Sequence, residues 1–79
     1  MTTKKVLVFS QPDCPPCHAV KAYLTERGVP FEVKDVSHDS EAIHELVEHY
    51  KSRSTPTVVV GDQVMIGFNP ERLDQMLAE

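Results

Sequence analysis

Cys14 and Cys17 are the only cysteines of the 79-residue chain, and two prolines separate them. A bridge between them would close almost no loop, so it would restrain the unfolded chain very little. A structural staple is therefore a poor use of the pair, and reactive thiols or half of a metal site are the better readings. On a helix, spacing of i, i+3 brings Cys17 beneath Cys14, near enough for a disulfide. One thiolate can then attack a client disulfide while the other resolves the mixed disulfide that forms. Attack is expected of Cys14, at the exposed end. Cys17 shares an apolar stripe with Val20 and Leu24 and is read as the shielded, resolving thiol.

Those thiols need a strand and a helix to hold them. Val6-Leu7-Val8-Phe9 is a continuous apolar run ended by Ser10-Gln11-Pro12, the pattern of a strand buried on both faces. From Cys17 the apolar period becomes helical through Val20, Tyr23 and Leu24, with Gly28 as the stop and Pro30 just beyond. Phe31 to Val36 begins as an alternating, half-exposed strand. Strand, helix and strand at these short joints form a right-handed unit with parallel strands.

Asp39 or Ser40 caps a second helix, whose buried face is expected at Ile43, Leu46, Val47 and Tyr50. Lys51 to Thr55 reads as a polar loop. Thr57–Val60 and Gln63–Ile66 read as two strands joined by the tight turn Gly61-Asp62. Asn69-Pro70-Glu71 opens a last helix, packed through Leu73, Met76 and Leu77. The expected fold is α/β, in the order β-α-β-α-β-β-α, with a mixed four-stranded sheet flanked by helices.

The cysteine pair falls at the first strand–helix joint. Unsatisfied N–H groups and the positive end of the helix dipole favour thiolate there, and such settings take a cysteine from about 8.5 down to roughly 3.5–7.5. Pro15 and Pro16 remove two donors, leaving chiefly the N–H groups of Cys17 and His18 for the Cys14 sulfur. Asp13 adds a carboxylate that opposes ionisation. His18 lies four residues past Cys14 and is read as solvent-facing, with a proton-handling role as the sharper alternative.

Cys-x-x-Cys-His is also a haem-attachment pattern, but the α/β pattern and limited core argue against it. A four-ligand zinc site lacks its other half in one chain, which leaves metal binding or transfer through Cys14, Cys17 and His18 as the reading of a different class. The Thr55–Pro56 bond is expected to be trans on frequency alone, opening an edge strand. The acids from Glu32 to Glu48 form a solvated face, while Lys51 and Arg53 border the site and guide an acidic partner or glutathione.

Composition bounds the rest. The length supports one domain over residues 1–79, and 41 % hydrophobic residues suffice for one core without an internal cofactor chamber. A formal charge of −4 argues against nucleic acid or an anionic membrane as the main partner. The first apolar run is too short for a signal-peptide core or a membrane span, so a cytoplasmic monomer is expected.

Taken together, these residues resemble the glutaredoxin family of thioredoxin-fold proteins. The resemblance rests on Cys14-Pro15-Pro16-Cys17 after the first strand, Thr55-Pro56 before the third, and a glycine after the fourth. Within the family the chain is most similar to the NrdH-redoxins, through Asp13, Cys17-His18-Ala19 followed by Lys21, Arg27-Gly28, and Gly67-Phe68-x-Pro70 ahead of Leu73. The resemblance implies a dithiol–disulfide oxidoreductase with a redox-active Cys14–Cys17 disulfide and no bound cofactor. It also implies a cis Pro56 facing the cysteines. Thr55 and Pro56 would then present backbone to a client chain, with Gly67 and Phe68 completing the substrate surface.

Its implied reductant is an NADPH-dependent thioredoxin reductase, and its implied client a class Ib ribonucleotide reductase. Glutathione is the alternative reductant. Where glutaredoxins carry Gly-Gly and an acidic pair to hold the glutathione amine, this chain has Ile66-Gly67-Phe68-Asn69. Pro15-Pro16 also departs from the residues NrdH-redoxins commonly carry between the cysteines.

Overall fold

The computed structural model describes residues 5–78, so residues 1–4 and 79 of the expected domain lie outside the described residues. The elements are β1 (Val6–Ser10), α1 (Pro15–Glu26), β2 (Glu32–Asp35), α2 (Ser40–His44), β3 (Thr57–Val60), β4 (Gln63–Ile66) and α3 (Pro70–Ala78). The sheet order is β2-β1-β3-β4, with β1 parallel to β2 and antiparallel to β3, and β3 antiparallel to β4. This is the mixed four-stranded sheet expected from the sequence.

Alternation along β1 divides the core. Val6 and Val8 pack with Val20, Leu24, Leu73 and Met76 on the face covered by α1 and α3, while Leu7 and Phe9 pack with Ala42 and Leu46 on the α2 face. Both faces of β1 are thus buried, as its unbroken apolar run requires. Leu24, Leu73 and Met76 are fully buried, each contributing roughly 1.5–3 kcal/mol of transfer free energy.

The helix ends follow their sequence signals. Asp39 caps α2 by accepting from the N–H groups of Glu41 and Ala42, and Asn69 caps α3 by accepting from the Arg72 N–H. Past α1, the Gly28 N–H donates to the Thr25 carbonyl and the Val29 N–H to the Leu24 carbonyl. That Schellman pattern needs the positive φ, +68°, which Gly28 adopts.

Two expectations are corrected. The strand after Pro56 is interior, because β4 folds back to cover its outer side. The buried face of the second helix also differs: Ala42 and Leu46 are buried, whereas Ile43 is 45 % exposed. From Glu45 the helix continues as a π-helical turn over Glu45–His49, in which the Tyr50 N–H reaches back to the Glu45 carbonyl. The wider turn departs from the 3.6-residue period behind the expected stripe. It places Tyr50 against Phe9, with ring centroids 5.5 Å apart, and Glu45 in an ion pair with Lys34 of β2.

Candidate active site

β1 ends at Ser10, and the chain turns through Gln11-Pro12-Asp13 to reach Cys14, the N-cap of α1. Cys14 is extended there, at φ −132° and ψ 94°, which suits a residue followed by proline. Pro15 and Pro16 take the first two helical positions, where a missing N–H costs least. The next donor, the Cys17 N–H, points back at the Cys14 sulfur at 3.3 Å. The sulfur thus stands where a capping oxygen would stand on an ordinary helix.

The expected second donor is corrected. The His18 N–H goes to the Cys14 carbonyl at 3.2 Å, as the helical ladder requires, and not to the sulfur. In its place the Thr55 hydroxyl donates to the Cys14 sulfur at 3.8 Å, across 41 residues of chain. Nothing local in the sequence announces that contact; only the return of β3 beside β1 creates it.

Cys14 and Cys17 form a disulfide, with Cα atoms 5.2 Å apart. Cys14 is 5 % exposed and Cys17 0 %, so both are buried, and Cys14 is far more covered than its position at the chain turn suggests. The Thr55–Pro56 peptide is cis, which corrects the expectation from frequency and agrees with the one from resemblance. The Pro56 carbonyl accepts from the Gly67 N–H at 2.8 Å, and Gly67 sits at φ +83°, a conformation that favours glycine. Phe68, partly buried, packs edge-on to Tyr23 with centroids 5.6 Å apart. Among the described residues, the backbone N–H and carbonyl of Thr55 have no partner.

The remaining sequence candidates scatter. Asp13 is exposed in the turn before Cys14. His18 is exposed, and its Nε2–H donates to the Pro12 carbonyl at 3.1 Å. Arg53 lines a groove beside the site with Gln11, Val36, Ile43, Val47 and Thr55; Lys51 is not part of that lining. Instead Lys51 is exposed just past the helix, with a positive φ of 57°. Sequence reasoning passed over Ser52 and Thr57, both buried, although a hydroxyl in an otherwise apolar strand start is a signal that could have flagged Thr57. Among the described residues, no three His, Cys, Asp or Glu side chains gather as a metal site would need.

A bridge of two neighbouring cysteines at a helix N-terminus, facing a chain reversal on an adjacent strand, can accept and release two electrons. Fold and site together define a thiol–disulfide oxidoreductase of the thioredoxin fold. The glutaredoxin family model matches residues 6–65. The chain belongs to the glutaredoxin family. It is 31 % identical over 72 residues to the glutaredoxin-like protein NrdH of Escherichia coli, covering 91 % of this chain and 88 % of that one. The NrdH-redoxin structure from the same organism, described for a thioredoxin-like activity profile, superposes with a TM-score of 0.79, covering 90 % of this chain and 92 % of that one. The thioredoxin-like protein BC3987 is 46 % identical with a TM-score of 0.88, covering 91 % and 99 % of the two chains. No helix among the described residues is long and apolar enough to cross a membrane.

Proposed function

We propose that this protein, acting as a single-domain monomer in the reducing cytoplasm, carries electrons from an NADPH-dependent thioredoxin reductase to disulfides of client proteins. The Cys14 thiolate attacks one sulfur of the client bridge, forming a mixed disulfide and releasing the client's other sulfur as thiolate. The Cys17 thiolate then attacks the Cys14 sulfur, forming the Cys14–Cys17 bridge and releasing the client's second thiolate. Two electrons pass to the client, and the reductase restores the dithiol. No bound cofactor enters the cycle.

The observation that carries this reading is the Cys14–Cys17 bridge at the start of α1, with Cys14 at the N-cap; residue exposures of 5 % and 0 % favour Cys14 as the sulfur a client reaches. The unpartnered backbone of Thr55 supports it by leaving an N–H and a carbonyl free to bond a client segment. Gly67 and Phe68 border that segment. Arg53 on the groove rim guides acidic groups of a client, with Lys51 adding to the field, and Asp13 and His18 adjust the charge near Cys14. The similarity to NrdH supports a class Ib ribonucleotide reductase as the client.

Glutathione as reductant is the second reading, favoured by the Arg53 groove beside Thr55 and disfavoured by Ile66-Gly67-Phe68-Asn69. NADPH oxidation coupled to an artificial disulfide separates the two. Turnover is expected with thioredoxin reductase; turnover only with glutathione and glutathione reductase would establish the second reading. Silence in both arms would overturn both.

A further inference from the structure

Ser52 and Thr57 lie on either side of the Ser54-Thr55-Pro56 reversal, and both are buried, at 2 % and 0 % exposed. Their hydroxyls close a ring around Ser54. The Ser52 and Thr57 hydroxyls lie 2.8 Å apart and either can donate to the other. The Ser54 carbonyl accepts from the Thr57 hydroxyl at 2.7 Å and lies 3.4 Å from the Ser52 hydroxyl, and the Ser54 N–H donates to the Ser52 oxygen at 3.3 Å. Both backbone groups of Ser54 are held. The ring is anchored at both ends: the Ser52 N–H donates to the Leu46 carbonyl at 3.0 Å, and Thr57 pairs with Phe9 of β1 and Ile66 of β4. The next residue along the chain from Ser54 is Thr55, whose hydroxyl meets Cys14.

A polar ring of this kind is costly to bury unless complete, and an apolar packing of the same loop would leave Ser54 free to shift. We propose that Ser52 and Thr57 are positioning residues, whose closed hydroxyl ring holds the Thr55 hydroxyl on the Cys14 sulfur and so sets the reactivity of the attacking thiolate. This rests on Cys14 being the attacking group. A disulfide sulfur is a weak acceptor and a thiolate a strong one, so the Thr55 contact strengthens when the bridge opens. Titratable and charged groups next to these residues are Asp13 in the turn before Cys14, Cys17 and His18 on α1, and Arg53, which lines a groove with Thr55.

The test is the pH dependence of alkylation of reduced protein, with the modified cysteine identified by mass. Thr55→Val is expected to raise the apparent pKa of Cys14 by about one unit, the scale of one hydrogen bond to a charged group. Thr57→Val, which removes the hydroxyl at nearly constant volume, is expected to raise it by about half a unit, roughly a threefold fall in the ionisation constant. Thr57→Ser keeps the hydroxyl and is expected to restore the original value. The deciding measurement is Thr57→Val in the Thr55→Val background, where its effect on Cys14 is expected to vanish.

An equal shift in both backgrounds, or a loss of stability with no shift, would overturn the positioning role. Should Thr57→Val fail to fold, Ser52→Ala removes the same ring from the other side and is read by the same cycle. Preferential alkylation of Cys17 would overturn the assignment of attack to Cys14, a result distinct from failure of the ring.

Discussion

The phenol of Tyr23 on α1 donates a 2.5 Å hydrogen bond to the carboxylate of Asp74 on α3, 51 residues along the chain. Arg27 completes the cluster. Its Nε lies 3.2 Å from the same Asp74 oxygen, one Nη donates to the Tyr23 oxygen, and its guanidinium carbon sits 3.9 Å from the centre of the Tyr23 ring. Since Phe68 packs edge-on to Tyr23, this exposed cluster joins the C-terminal end of α1 to α3 and to the segment after β4.

Hydrogen bonds from Tyr23 and then Arg27 hold the Asp74 carboxyl below its ordinary range, and the same bond to Asp74 pushes the Tyr23 phenol above its own. A depressed carboxyl contributes stability that is present above its unfolded pKa and is lost as pH falls through the folded one. The raised phenol contributes stability below its unfolded value that is lost as pH rises through its folded one. The Tm difference between the natural protein and Asp74→Asn is therefore expected to be constant near neutrality and to shrink below roughly pH 4. A difference that persists unchanged into acid would show that Asp74 acts by packing alone.

Replacing the resolving thiol should arrest the cycle midway. Cys17→Ser is expected to accumulate a mixed disulfide between Cys14 and a client or a model disulfide peptide, visible by mass and released by reductant. Cys14→Ser is expected to accumulate none. The opposite pattern would exchange the two roles.

Lys51 is the one non-glycine residue with positive φ among those described. Its conformation costs a side-chain-bearing residue roughly 1–2 kcal/mol, against which glycine's greater unfolded-state freedom takes back about 0.5–1 kcal/mol. Lys51→Gly is expected to be more stable by about 0.5–1 kcal/mol, raising Tm by roughly 2–8 °C in a domain of this size. An unchanged or lower Tm would mean that the lysine side chain makes a compensating contribution.

Asp39 caps the second helix through two N–H groups. Asp39→Ala is expected to lose about 1 kcal/mol, read as a lower urea midpoint at unchanged slope, and Asp39→Ser to recover most of it. Equal losses in both variants would place the contribution of Asp39 outside its capping bonds.

What was legible in the sequence was local. The apolar run of β1, the caps Asp39 and Asn69, the stop at Gly28 and the hairpin at Gly61-Asp62 each depend on residues within a few positions, and the elements formed where those signals stand. The cysteine pair was legible for the same reason. Tyr23 with Asp74, Thr55 with Cys14 and Ser52 with Thr57 are contacts made by tertiary approach or by loop closure, and no local period encodes them. The misplaced face of the second helix has a different cause. Ala42 is too small to register strongly in an apolar pattern, yet it fits against β1 and β3, and the π turn at Glu45 redirects the side chains beyond it.

The place of β1 inside the sheet has a consequence for how the protein survives repeated use. Edge strands such as β2 and β4 can exchange their amide hydrogens through local fraying, but β1 is laced on both sides, to β2 and to β3. Its amides should exchange only when the whole molecule opens. The loop that carries Cys14 therefore springs from the slowest-exchanging part of the molecule. A bridge can open and close at the tip of that strand many times without loosening what it stands on.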